Sequence, residues 1–108
     1  MSKKETHTYV LVERTEHYST RNGTYYIKLL FLDVDDSSLL ECSVDPAYRN
    51  WNNWDRVVND PQPLGIYGNL HLANRRNKDG QRVVSADSHP RLLDRLTQEE
   101  LILLLEAL

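Results

Sequence analysis

LGIYGNLHLANRRNKDGQRVVSA, residues 64–86, decides how this chain is read. An apolar alternation (Leu64, Ile66, Leu70, Leu72) runs straight into a turn rich in base and amide, Asn74-Arg75-Arg76-Asn77-Lys78-Asp79-Gly80-Gln81-Arg82. Apolar side chains at every second position need a core behind them. The stretch therefore predicts a β-hairpin with one buried end and a cationic tip carrying Arg75, Arg76, Lys78 and Arg82 against Asp79. A two-residue Asp79-Gly80 turn would set Leu72 opposite Asp87. A three-residue Lys78-Asp79-Gly80 turn, with Gly80 in the left-handed position of a bulge, sets Leu72 opposite Ala86 and Asn74 opposite Val84, and is the favoured register. It places His71 opposite Asp87 and Arg75 opposite Val83, on an outer face shared with Tyr67 and Asn69.

Around this hairpin, 108 residues suffice for a single domain with one modest core and not for two. With 40% hydrophobic and 27% charged residues, the composition is that of a folded chain and not of a disordered one. Cys42 is the only cysteine, so no intramolecular disulfide forms; its alternation with Leu40 and Val44 predicts a buried thiol and fits a reducing compartment. No run approaches the roughly 18 apolar residues of a membrane span. Met1-Ser2-Lys3-Lys4-Glu5 leads into polar residues without the apolar stretch of a signal peptide. A cytoplasmic location with no membrane partner is the expectation. The formal net charge of -3 argues at first against nucleic acid. Its distribution says otherwise, because Glu99, Glu100 and Glu106, with no base among residues 97–108, account for all of it and leave residues 1–96 neutral. Within that neutral body the Arg75 to Arg82 tip carries four bases against one acid.

Taken in order, Thr8 to Tyr18 predicts a first strand, closed by Ser19-Thr20-Arg21-Asn22-Gly23, where Asn-Gly marks a hairpin. Thr24 to Val34 predicts a second strand, apolar on both faces through its middle as a curling central strand is, with Tyr26 and Lys28 on one face and Tyr25 and Ile27 on the other. A bend or bulge would exchange the solvent-facing pair. Asp33-Val34-Asp35-Asp36-Ser37-Ser38 reads as a turn, and Leu39 to Val44 as a third strand pointing Leu40, Cys42 and Val44 one way. Asp45 as N-cap and Pro46 at the first position then open a helix with Ala47, Trp51, Trp54 and Val58 on its inner face, ending at Asn59-Asp60 before Pro61 and Pro63. The hairpin supplies strands four and five. His89 to Leu96 is either a continuation of the strand edge or a connector. Thr97 and Glu100 form a capping box for a last helix, Gln98 to Leu108, which carries more leucine than one stripe needs.

Three strands, a helix and a two-stranded hairpin, in this order and length, resemble the OB-fold over roughly Thr8 to Ser88. The expectation is a mainly β chain, a five-stranded barrel with a helix plugging one end and a further helix at the C-terminus. The resemblance lies in element order. It implies that a single strand of nucleic acid, DNA favoured over RNA, crosses the barrel face between the loop joining strands one and two and the loop joining strands four and five. On this chain those positions are Tyr18, Arg21, Tyr26, Lys28, Tyr67, His71, Arg75, Arg76, Lys78 and Arg82. The size is similar to that of compact replication-accessory proteins, without the linker and acidic, Phe-terminated tip of bacterial single-strand binding proteins.

Each candidate has a plainer reading. Trp51 and Trp54 at helical spacing read as core and not as stacking platforms. Charged turns also keep hairpin tips soluble. The Asp33, Asp35, Asp36 turn lacks the Gly and distal Glu of an EF-hand loop, and His7, His17, His71 and His89 show no paired ligand spacing, so no metal or cofactor is expected. With Cys42 buried and no Gly-rich phosphate loop or nucleophile elbow, no catalytic residues are assigned and the protein is expected not to be an enzyme. The rival function is protein assembly: a homodimer or a larger partner held through Leu101, Leu104, Leu105 and Leu108 of the last helix.

Overall fold

The computed structural model describes residues 8–19, 23–45, 51–85 and 87–107, and within them the chain is mainly β, with seven strands and two helices. In chain order these are β1 (Tyr9–Ser19), β2 (Thr24–Asp33), β3 (Ser38–Val44), α1 (Trp51–Val58), β4 (Gly65–Gly68), β5 (Leu72–Arg76), β6 (Arg82–Val84), β7 (Arg91–Arg95) and α2 (Gln98–Ala107). The strands form one mixed sheet in the order β5-β6-β3-β2-β1-β4-β7, in which β3 and β6 run parallel and every other pair antiparallel. β4 and β5 stand far apart in this order, yet only Asn69, Leu70 and His71 join them. Three residues span about 10 Å at most, so the sheet curls until its two sides nearly meet, as a half-closed barrel.

Local chemistry explains the first three strands. The β2–β3 turn is held by its aspartates: Asp33 accepts from the Asp35 N–H at 2.9 Å, and Asp36 accepts from the Ser38 N–H at 3.1 Å and its hydroxyl at 2.6 Å. Leu40, Cys42 and Val44 are buried in a row, as their alternation predicts. Between Leu11 and Glu13 a bulge shifts the β1–β2 register. Before it Tyr9 and Leu11 face the core; after it Arg14 and Glu16 take the inner positions opposite Leu29 and Ile27, and Glu13, Thr15 and His17 turn outward.

α1 closes the concave side with Trp54, Val57 and Val58 buried, and Phe31 lies between Trp54 and Tyr67 at ring centroid distances of 6.4 and 5.9 Å. Trp51 packs against the same core. Arg14 donates to the carbonyl of Val58, placing a cation at the helix C-terminus where the macrodipole favours it. The start predicted at Asp45 and Pro46 runs into residues 46–50, outside the described residues, as are Arg21, Ala86 and Leu108.

Three expectations are corrected. The sheet has seven strands instead of five, because the first arm of the predicted hairpin divides into β4 and β5, and His89–Leu96 contributes β7, which pairs with β4. The inward phase of β4 is the reverse of the predicted one: Gly65 and Tyr67 are buried, with Tyr67 edge-on to Phe31 and its hydroxyl donating to the Pro63 carbonyl at 2.8 Å. Asn69, at φ 64°, then resets the phase, so that Leu70 packs on the core while Leu72 is 40% exposed. Finally, the hairpin register slips. Arg76 faces Arg82 as a three-residue turn requires, but Leu72 faces Val84 and not Ala86.

Candidate functional site

Asn77 builds the hairpin tip. Its side-chain oxygen accepts from the N–H groups of Asp79 (2.9 Å) and Gln81 (2.8 Å), and its amide nitrogen donates to Gln81 (2.9 Å) and to Glu41 on β3 (2.6 Å). Gly80 sits at φ 81°, the left-handed position that a bulged three-residue turn demands. Arg76 donates to the Gly80 carbonyl at 2.7 Å, so its guanidinium is held at the tip with no ion pair to a carboxylate among the described residues. Arg75 and Lys78 are exposed.

Arg82 leaves this group. It reaches back to the β2–β3 turn and meets Asp33 at 3.2 Å, Asp36 at 3.1 Å and the Ser38 hydroxyl at 2.6 Å. Asp33 is fully buried, and a buried carboxylate needs a cation and donors, which is why Arg82 is drawn inward. Lys28 is likewise engaged, 3.2 Å from Glu41. The hydrogen bond to Glu41 is the main cause that raises the Lys28 pKa. For Glu41, burial pushes its carboxyl up, but hydrogen bonds from Asn77 and Lys28 and the charges of Lys28 and Arg75 outweigh it and hold the carboxyl below its ordinary value.

The outer face of β1 and β2 meets the tip here. His17 and Tyr26, paired across the strands, stack with centroids 4.9 Å apart and planes 6° from parallel. His17 and Lys28 line a cleft of about 250 Å³ together with Asp79 and Gln81 of the tip and with Glu13 and Thr15. The tip and the stacked rings therefore form one surface. Its charge is mixed: Glu13, Glu41 and Asp79 stand among the cations.

Other predicted positions do not join it. Tyr67 is core. Tyr18, 74% exposed, packs on Tyr25 at 4.8 Å on the opposite face, where Tyr25 borders a larger cleft of about 430 Å³ with Trp51 and Ile27. His71 has an exposed side chain, but its N–H donates to the Ser88 hydroxyl at 2.8 Å and its carbonyl accepts from the Ser85 N–H at 2.7 Å, in place of a pairing with Asp87. His17 is the residue that the sequence reading missed as a site residue. The signal was its place opposite Tyr26, which the register that pairs Ser19 with Thr24 sets.

In α2, Thr97 and Glu100 make the capping box in both directions, at 2.9 and 3.1 Å. Leu101 is buried, Leu104 is half-buried, and Ile102, Leu103 and Leu105 are exposed. Cys42 is buried and its thiol is pushed up to about 12 by that burial, so it is held protonated. Among the described residues, no group of three or more His, Cys, Asp or Glu is placed to hold a metal, and no helix is long and apolar enough to cross a membrane. The fold is that of a small curled mixed β-sheet closed by a helix. No protein-family model, no curated protein and no solved structure matches the chain.

Proposed function

We propose that this protein is an OB-like barrel that binds single-stranded nucleic acid without catalysis, DNA favoured, along the outer face of β1 and β2 beneath the β5–β6 tip. The observation that carries the reading is the juxtaposition of the hairpin tip, on which Arg75, Arg76 and Lys78 form no ion pair among the described residues, with the His17–Tyr26 stack: Asp79 and Gln81 of the tip and His17 of the stack line one cleft. Cations track phosphates and an aromatic face accepts bases, at about 1–3 kcal/mol for each stacked base. The site narrows from the residues singled out in the sequence to His17, Tyr26, Arg75, Arg76 and Lys78, with Lys28 as an ion-paired neighbour. Curling of the sheet into a half-barrel, with the short β4–β5 connection spanning its two sides, supports the OB-like reading.

Fluorescence anisotropy of labelled oligo-dT and oligo-U tests this. Three phosphate contacts give a slope of log affinity on log salt of about -2 on a single strand, or roughly a twentyfold loss between 50 and 200 mM. Arg75→Glu with Arg76→Glu abolishes that binding, and Tyr26→Ala weakens it at every salt concentration. No binding of either oligonucleotide at low salt overturns the proposal.

A further inference from the structure

We propose that α2 of one copy docks into an arginine-flanked cleft of a second copy, and that the reciprocal contact closes a two-fold dimer. The cleft lies between α1 and β7, about 330 Å³ in volume, with Val57, Pro90 and Leu92 in its lining and Arg56, Arg91 and Arg95 around it. Arg95 is neutralised, 2.8 Å from Asp60. Arg56 and Arg91 have no ion pair among the described residues, so the cleft presents two unmatched guanidiniums beside an apolar lining.

α2 carries the complementary pattern. At 100° per residue, Glu99 and Glu106 lie on one side of the helix with Ile102 and Leu103 between them, opposite the side on which Leu101 is buried. Ile102 is 49% and Leu103 66% exposed, and neither Glu99 nor Glu106 has an ion pair among the described residues, while Glu100 is held by the cap. An outward stripe of acid, two apolar side chains and acid, about 10 Å from end to end, thus matches an apolar cleft flanked by two cations. With Leu101 anchored on its own body, the stripe points away from its own chain. A second copy supplies both halves of the match, and reciprocal docking leaves neither unsatisfied.

Sedimentation equilibrium of the full chain over micromolar concentrations tests this, with circular dichroism as the check on folding. The wild type is expected to form a dimer of twice the 12.6 kDa chain mass. Arg56→Glu with Arg91→Glu, and separately Glu99→Arg with Glu106→Arg, each give monomers, and an equimolar mixture of the two variants restores a dimer, because one contact then pairs the native glutamates with the native arginines and the reciprocal contact pairs the introduced arginines with the introduced glutamates. If either reversed variant misfolds, the neutral Arg56→Gln with Arg91→Gln and Glu99→Gln with Glu106→Gln replace the pair, each weakening the dimer at least about tenfold. Arg75→Glu with Arg76→Glu stays dimeric, which separates this contact from nucleic-acid binding. A monomeric wild type, or a dimer indifferent to these changes, overturns the proposal.

Discussion

Arg82 and Arg76 face each other across the hairpin, and their environments give them different work. Arg76 ends on a turn carbonyl at an exposed tip, whereas Arg82 is paired with a carboxylate buried from the surface. Arg82→Ala leaves Asp33 buried with the Asp35 N–H still donating to it, at a cost of about 1–3 kcal/mol. Arg76→Ala changes stability by about 0.5 kcal/mol or less. Urea denaturation of the two variants separates the roles, and equal losses would refute them. Nothing adjacent in sequence announces this difference: the turn composition reads as four equivalent bases, and the partner that removes one of them lies 49 positions away.

At the scale of elements, β4 is decided by its neighbours. A side chain at Gly65 would place its Cβ 2.5 Å from the Asp94 carbonyl oxygen and 2.9 Å from a Leu92 methyl, so β7 can approach only glycine there. Gly65→Ala forces β7 away, with an expected loss of about 1–3 kcal/mol and faster amide exchange confined mainly to Arg91–Arg95. Unchanged exchange in β7 would show that the pairing tolerates the methyl. The same element explains the reversed phase: Leu64, Ile66, Leu70 and Leu72 alternate well on paper, but the ring of Tyr67 fills the core against Phe31 and turns Ile66 the other way, and Leu70 returns to the core only beyond Asn69. A shift of one residue exchanges the faces of a strand, and only packing against a partner selects between them. By contrast, the α2 capping box, the Leu40-Cys42-Val44 row and the left-handed Gly80 follow from spacing within a few residues, and each stands as read.

Stability of the whole molecule responds to alkali through two buried acids. Burial raises Cys42 from 9.0 to about 12 and Tyr67 from 10.0 to about 12. The unfolded chain gives up these protons first as pH rises, so the stabilisation is complete below pH 9 and is lost as pH climbs from there through 12. The slope is about 1.4 kcal/mol per pH unit for each group, and Cys42→Ala delays the onset by about one unit, to where Tyr67 begins to respond. Denaturation midpoints measured from pH 8 to 11 check this, and a flat profile would refute it. Short-range periodicity and turn chemistry are enough for the β1–β2–β3 order, the burial of Trp54 and Cys42, the hairpin turn at Gly80 and the capped last helix. The β7 pairing, the inward turn of Tyr67, the engagement of Arg82 by Asp33 and Asp36, and the meeting of His17 with the hairpin tip arise in the folded chain alone. Each of these joins residues distant in sequence, where curling of the sheet sets which groups are buried together and which charges must be neutralised.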